Sequence, residues 1–199
     1  MSPLVVIPAA GASARMRGGD KLLETIEGEA LLRRQAVAAT ATGCAVAVTL
    51  PPGPSARRAC LGDVPVAIVD VPDHKEGMSA SLRRAAGLLV DGQALAVLLP
   101  DVPGIGAGEL IEVLQRFRSF DGDRVVRGGT VLDARPGTPL FLPHRVARRF
   151  LDLAGDDGGR QALAGEAVEF VRFPDDRAVR DLDTPEDWAA WRAETGIAE

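Results

Sequence analysis

The chain has 199 residues, 46% hydrophobic and 26% charged, with a formal net charge of -5. That length supports a single domain over residues 1–199, and an acidic balance without any basic block argues against non-specific nucleic-acid binding. No apolar run approaches the roughly 18 residues of a spanning helix, no leader-like segment precedes the first strand, and Cys44 and Cys60 lack metal-type spacing, so a cytoplasmic protein without a membrane partner is expected.

Leu4 to Ile7 is a β-branched-rich run without polar alternation, which reads as a strand buried on both faces. It runs into Ala9-Ala10-Gly11-Ala12-Ser13, a stretch almost free of side-chain bulk. Such a backbone can curl its N–H groups around a phosphate, with Gly11 free to take φ > 0. Arg15 and Lys21 follow, one a planar fork and the other a point charge, both suited to a polyphosphate. Neither glycine fingerprint for phosphate is present: Gly11 is followed by no glycine until Gly18, and Lys21 stands between Asp20 and Leu22. On the small residues alone, a tight strand–helix turn is an equal reading.

Spacing then predicts a helix over 29–42, a buried strand over 44–50, a stiff Pro51-Pro52-Gly53-Pro54 turn, a short helix over 55–61 and a strand over 64–69. A loop over 70–77 leads into a helix over 78–90, a buried strand over 94–99 and a helix over 108–117. Short strands at Val125-Val126, Thr130-Val131-Leu132 and 139–142 follow, then helices over 144–153 and 159–163, a strand over 168–173 and a final helix over 185–194. The alternation up to about residue 118 predicts an α/β fold, a three-layer, mostly parallel sheet with helices on both faces. The second half adds short antiparallel strands. Such sheets bind ligands at the carboxyl ends of their strands.

Three further stretches carry chemistry. Leu99-Pro100-Asp101-Val102-Pro103 puts a carboxylate directly after a buried strand, stiffened by prolines. Beside a bound triphosphate it suits Mg²⁺, which takes one or two protein carboxylates and fills its shell with phosphate and water; a turn-forming Asp is the plain alternative. Asp181-Leu182-Asp183-Thr184-Pro185-Glu186-Asp187 joins a strand end to a helix start, in which Thr184 to Asp187 are explained by capping. Alternation puts Asp181 and Asp183 on one face as a second metal-binding position, with Asp181 preferred by a narrow margin. Gly77-Met78-Ser79-Ala80-Ser81 supplies N–H groups and hydroxyls at a helix start, where Ser79 as an ordinary N-cap is the simpler reading.

Ala9-Ala10-Gly11-x-Ser13-x-Arg15-Met16 with Lys21-Leu22-Leu23 resembles the signature of the MobA-like nucleotidyltransferases, and within them the MocA type, the molybdenum cofactor cytidylyltransferases. Arg17 intervenes where that family has a glycine, and Trp188 and Thr138 also depart from its pattern. The resemblance implies a nucleotidyltransferase or GT-A-like Rossmannoid fold, and a loop from Ala9 to Ser13 that wraps a triphosphate contacted by Arg15 and Lys21. It implies Gly77, Met78, Ser79 and Ser81 against base and sugar, and Mg²⁺ on Asp101 with Asp181 or Asp183. Ala9-Ala10-Gly11 in place of Ala-Gly-Gly leans to CTP over GTP, with molybdopterin cofactor as acceptor and a molybdoenzyme as downstream partner. Gly155-Asp156-Asp157-Gly158-Gly159-Arg160 is similar to a family segment at the acceptor pocket, where Arg160 suits an acceptor phosphate. Transfer to a sugar phosphate, a GT-A-like glycosyltransferase and a non-catalytic nucleotide-binding chaperone are the rival readings. No Ser-His-Asp or Cys-His arrangement is evident around His74 or His144.

Overall fold

The structure, a computed structural model, describes residues 2–131, 135–155 and 159–197. The chain forms β1 (Leu4–Pro8), a small hairpin of β2 (Thr25–Ile26) and β3 (Glu29–Ala30), α1 (Leu31–Thr40), β4 (Ala45–Leu50), α2 (Ala56–Leu61) and β5 (Ala67–Asp70). It continues as α3 (Met78–Gly87), β6 (Leu95–Val97), α4 (Ala107–Arg118), β7 (Val125–Thr130), β8 (Pro136–Leu142), α5 (His144–Ala147), β9 (Val168–Phe173) and α6 (Pro185–Thr195). Seven strands make one sheet in the order β5-β4-β1-β6-β8-β7-β9. β1 pairs in parallel with β4 and β6, and β4 with β5. β8 runs antiparallel to both β6 and β7, while β9 lies parallel to β7. The mostly parallel α/β sheet expected from the alternation is therefore present, with β8 as its reversed strand.

Two apolar clusters cover the two faces. On one, Val5, Ile7, Val46 and Val48 pack with Leu32, Ala36, Leu110, Val113 and Phe117 of α1 and α4. On the other, Leu4, Val6, Leu95 and Val97 pack with Leu82, Ala85, Val146 and Phe150. The strands of the parallel half need apolar residues at every position because both faces are covered.

Several boundaries differ from the sequence reading. Glu27 and Gly28 both take positive φ, 53° and 79°, and close the β2–β3 hairpin, which removes 29–30 from the expected first helix. The third strand begins at Ala67 rather than Val64, because the Val64 N–H is spent on the Leu61 carbonyl at the end of α2. α3 stops at Gly87. Val125 to Thr130 form one strand, and Gly128 sits inside it because a Cβ there would lie 2.3 Å from the Thr138 carbonyl oxygen. The helix expected over 144–153 is α5 followed by a 3-10 turn at Arg148–Asp152, and that over 159–163 is a 3-10 turn at Gln161–Leu163. Residues 181–183 form no strand. Leu132, Asp156, Asp157 and Gly158 lie outside the described residues.

Candidate active site

A cavity of about 350 Å³ opens at the carboxyl ends of β1 and β6. Its walls are Gly11, Ala12, Ser13, Ala14 and Arg15 from the loop after β1, Lys21 and Leu22, then Gly77, Met78 and Ser81 at the start of α3. Leu99, Pro100, Asp101 and Asp183 complete it. Ala9, Ala10 and Ser79, which the family resemblance places on the nucleotide, are buried beneath the surface, at 0%, 3% and 0% exposure. Ser79 is not an N-cap: it lies inside the first turn of α3, its hydroxyl 3.4 Å from the Glu76 carbonyl. Asp183 lines the cavity and Asp181 does not.

Three stretches far apart in sequence meet here. The Lys21 ammonium donates to Asp101 Oδ2 at 2.6 Å and to Asp183 Oδ1 at 2.6 Å. The Arg15 guanidinium, 70% exposed, reaches the other oxygen of Asp183 at 2.7 Å. Two devices hold these pieces in place. The Leu182 N–H donates to the Asp101 carbonyl at 3.0 Å, which stitches the 181–183 segment to the turn after β6. Met16, Ile26, Leu31, Leu182, Trp188 and Trp191 form a small separate core, so the residues next to Arg15 and Asp183 are buried against each other. At the helix start beyond, Thr184 accepts from the Asp187 N–H and Asp187 accepts from the Thr184 N–H, a capping box with Pro185 in the first turn. Arg17 pairs with Glu186 of the same helix.

The loop after β1 is shaped by a residue the sequence reading missed. Arg57 of α2 is 7% exposed and uses all five of its N–H groups. It donates to the carbonyls of Ala9 and Gly11 at 2.6 Å each, to both oxygens of Asp20 at 2.6 and 2.7 Å, and to Ser13 Oγ at 2.8 Å. Ser13 Oγ in turn donates to Asp20 at 3.0 Å. The carbonyls on this loop are thereby turned toward α2. The left-handed residue is Ser13, with φ 48°, and not Gly11 as expected. Gly11 matters for space instead: a Cβ there would meet nothing within 4 Å and project into an open region.

The electrostatics follow from these contacts. Burial pushes Lys21 down, but Asp101 and Asp183 outweigh it and hold the ammonium above its ordinary value. Burial pushes Asp183 up, yet the hydrogen bond and charge of Lys21, with Arg15 behind them, leave it below the usual carboxylate range. Asp181 moves the other way, raised by partial desolvation, by a hydrogen bond shared with Asp183 and by the Asp183 and Asp101 charges. Burial likewise pushes Asp20 up, and Arg57, with hydrogen bonds from the Leu22 N–H and Ser13, more than reverses it. Among the described residues no group of three or more His, Cys, Asp or Glu side chains forms a ready metal cage. The donor set nonetheless fits a hard divalent cation, because Asp101 and Asp183 offer carboxylate oxygens to the cavity.

The family described as the MobA-like NTP transferase domain matches residues 5–170. The chain belongs to that family. Among solved structures it resembles Rv0371c from Mycobacterium tuberculosis H37Rv, at 24% identity over 94% of this chain and 96% of that one, with a TM-score of 0.76. A further structure of Rv0371c is a complex with manganese. A nucleotidyl transferase from Methanothermobacter thermautotroptrophicus is 22% identical over 96% of both chains, with a TM-score of 0.77. CMP:2-keto-3-deoxy-manno-octonic acid synthetase complexed with CTP is 16% identical over 98% of this chain and 99% of that one, at a TM-score of 0.73. No curated protein matches the sequence.

Of this MobA-like transferase, the departing residue Thr138 and the expected acceptor-side residue Arg160 both sit away from the cavity. Thr138, 2% exposed, faces β6 and not the cavity: its hydroxyl accepts from the Leu99 N–H at 3.0 Å, two residues before Asp101. Arg160 is exposed at the start of a 3-10 turn and does not line the cavity. No helix is long and apolar enough to cross a membrane among the described residues.

Proposed function

We propose that the protein is a divalent-metal-dependent nucleotidyltransferase that moves CMP from CTP to a phosphorylated acceptor, with molybdopterin cofactor the acceptor that the sequence resemblance favours. The observation that carries this reading is Lys21 held between Asp101 and Asp183 in the wall of a cavity bounded by a bare backbone loop. The triphosphate lies along Gly11 to Ser13, where small side chains allow its close approach. Lys21 and Arg15 then exchange part of their carboxylate contacts for phosphate oxygens.

In the transfer, an oxygen of the acceptor phosphate bonds to the α-phosphorus. The bond from that phosphorus to the oxygen bridging to the β-phosphate breaks, and pyrophosphate leaves with the electron pair. A phosphate dianion needs no base to attack, so the absence of a Ser-His-Asp arrangement is no obstacle. What this chain supplies is alignment and charge: Lys21 and Arg15 stabilise the charge growing on the leaving pyrophosphate. Asp101 and Asp183, with Asp181 next to them, would hold a divalent cation such as Mg²⁺. When bound, that cation neutralises phosphate charge. Manganese in the Rv0371c complex and CTP in the synthetase complex support a metal and a cytidine nucleotide respectively. The synthetase likeness also favours a second reading, in which the acceptor is a sugar acid or sugar phosphate.

The test is a thermal-shift series with CTP, GTP, UTP and ATP in the presence of Mg²⁺. A ligand at 100 times its Kd adds about 2.7 kcal/mol of stability. CTP is expected to raise Tm most, and pyrophosphate release is expected only once an acceptor is added. No shift with any nucleotide would end this reading.

A further inference from the structure

Resting on the nucleotidyltransferase reading, we propose that Arg127 is an anion-binding residue of the acceptor subsite, holding a phosphate group of the acceptor on the β8 side of the cleft.

The argument begins with the sheet. Val125 and Val126 belong to opposite apolar clusters, so Arg127 projects on the Val125 side, the face covered by α3. This is the face on which Gly77, Met78 and Ser81 bound the cavity. Arg127 pairs with Leu140 of β8, and Leu140 pairs with Val97 of β6. Its Nε and Nη2 both donate to the Gly137 carbonyl, at 3.0 and 2.8 Å. The β6–β8 register, continued by the Leu99 N–H on Thr138 Oγ1, brings Gly137 level with Pro100. Neighbouring strands lie about 4.8 Å apart. The guanidinium is therefore anchored one strand over from Pro100, which lines the cavity directly before Asp101, and just outside the residues that wall the cavity.

Its chemistry is unlike that of the cations that line or shape the cleft. Arg15, Arg17, Lys21 and Arg57 each have a carboxylate partner. Arg127 is partly buried, and no carboxylate among the described residues pairs with it. Burial alone pushes its guanidinium below the ordinary value, with no opposing charge to restore it. Holding one carbonyl requires donors but no charge. A desolvated cation with Nη1 uncommitted to any described residue is matched by an oxyanion, and a planar fork matches phosphate geometry. Nucleotide phosphates lie on the Lys21 side, which leaves the acceptor as the source of that anion.

The experiment uses the full chain, with the triphosphate positions filled by a non-hydrolysable CTP analogue and inorganic phosphate as the probe. Phosphate affinity is measured by calorimetry for the wild type, Arg127→Gln and Arg127→Lys. Arg127→Gln is expected to weaken phosphate about tenfold or more, as losing a charge-assisted hydrogen bond does, and Arg127→Lys to retain part of the affinity. Affinity for the CTP analogue alone is expected to stay unchanged in both. A merely structural role would lower Tm and leave phosphate affinity as it was. Equal phosphate affinity in wild type and Arg127→Gln, or no phosphate binding by the wild type, overturns the proposal. If Arg127→Gln does not fold, unchanged phosphate affinity in Arg127→Lys overturns it instead. Phosphate binding that depends on Arg127 in a protein with no affinity for any nucleotide would support the anion subsite and sink the nucleotidyltransferase reading.

Discussion

The two flanks of the cleft handle positive charge in opposite ways. On the β1 flank each cation is matched: Arg57 to Asp20, Lys21 to Asp101 and Asp183, and Arg15 to Asp183. On the β8 flank Arg127 rests on a carbonyl. A matched cation costs less to bury than an unmatched one, but it must loosen one partner before it can take another. An unmatched one is destabilising until its ligand arrives, and is ready when it does. The first flank thus suits a large polyanion able to displace carboxylates, and the second a smaller anion that could not.

The strongest way to break this contrast is to remove Asp101, the acid that Lys21 shares with the proposed metal. Asp101→Ala is expected to lower pyrophosphate release by about 10³-fold while nearly preserving Tm. Activity within a few-fold of wild type would remove Asp101 from the proposed chemistry. Lys21→Ala should lower kcat/KM for the nucleotide by about 10²-fold, with both a higher KM and a slower rate in steady-state kinetics. An unchanged nucleotide KM would place the triphosphate elsewhere.

Arg57→Gln probes the matched flank through stability. It leaves Asp20 without its charge partner and two carbonyls short of a donor, at a cost of about 3 kcal/mol in chemical denaturation. It is expected to weaken nucleotide binding as well. Loss of less than about 1 kcal/mol would mean that the loop keeps its shape unaided.

The smallest effect sharpens the charge balance. Asp181 has a folded-state pKa above its unfolded value. Its contribution therefore favours the folded state only below the unfolded pKa, and is lost as pH rises through the folded one. Asp181→Asn should then raise Tm slightly at pH 7 without metal, and the gain should shrink as pH falls through the carboxylate range. A gain that persists unchanged at low pH would point to a cause other than charge.

Much of the parallel sheet was legible in the sequence, because strands buried on both faces leave uninterrupted apolar runs such as 4–7, 44–50 and 94–99. Capping at Thr184 was legible for the same local reason. What escaped were features made by distant partners. Arg57 lies 37 positions from Asp20 and reads alone as a solvated helix residue. Its spacing of four from buried Leu61 was the available hint that it faces inward. That Asp183 rather than Asp181 lines the cavity goes with a backbone hydrogen bond from Leu182 to Asp101, which no local pattern encodes. The hairpin at Glu27-Gly28 was hidden because its second strand ran directly into a helix-like pattern.

That Leu182 stitch bears on how the molecule opens. Asp183 and the tryptophans that fasten its segment follow the last strand of the large sheet and belong to a small core of their own. Local opening of that core alone would leave the sheet standing while Lys21 keeps only one of its two counter-charges.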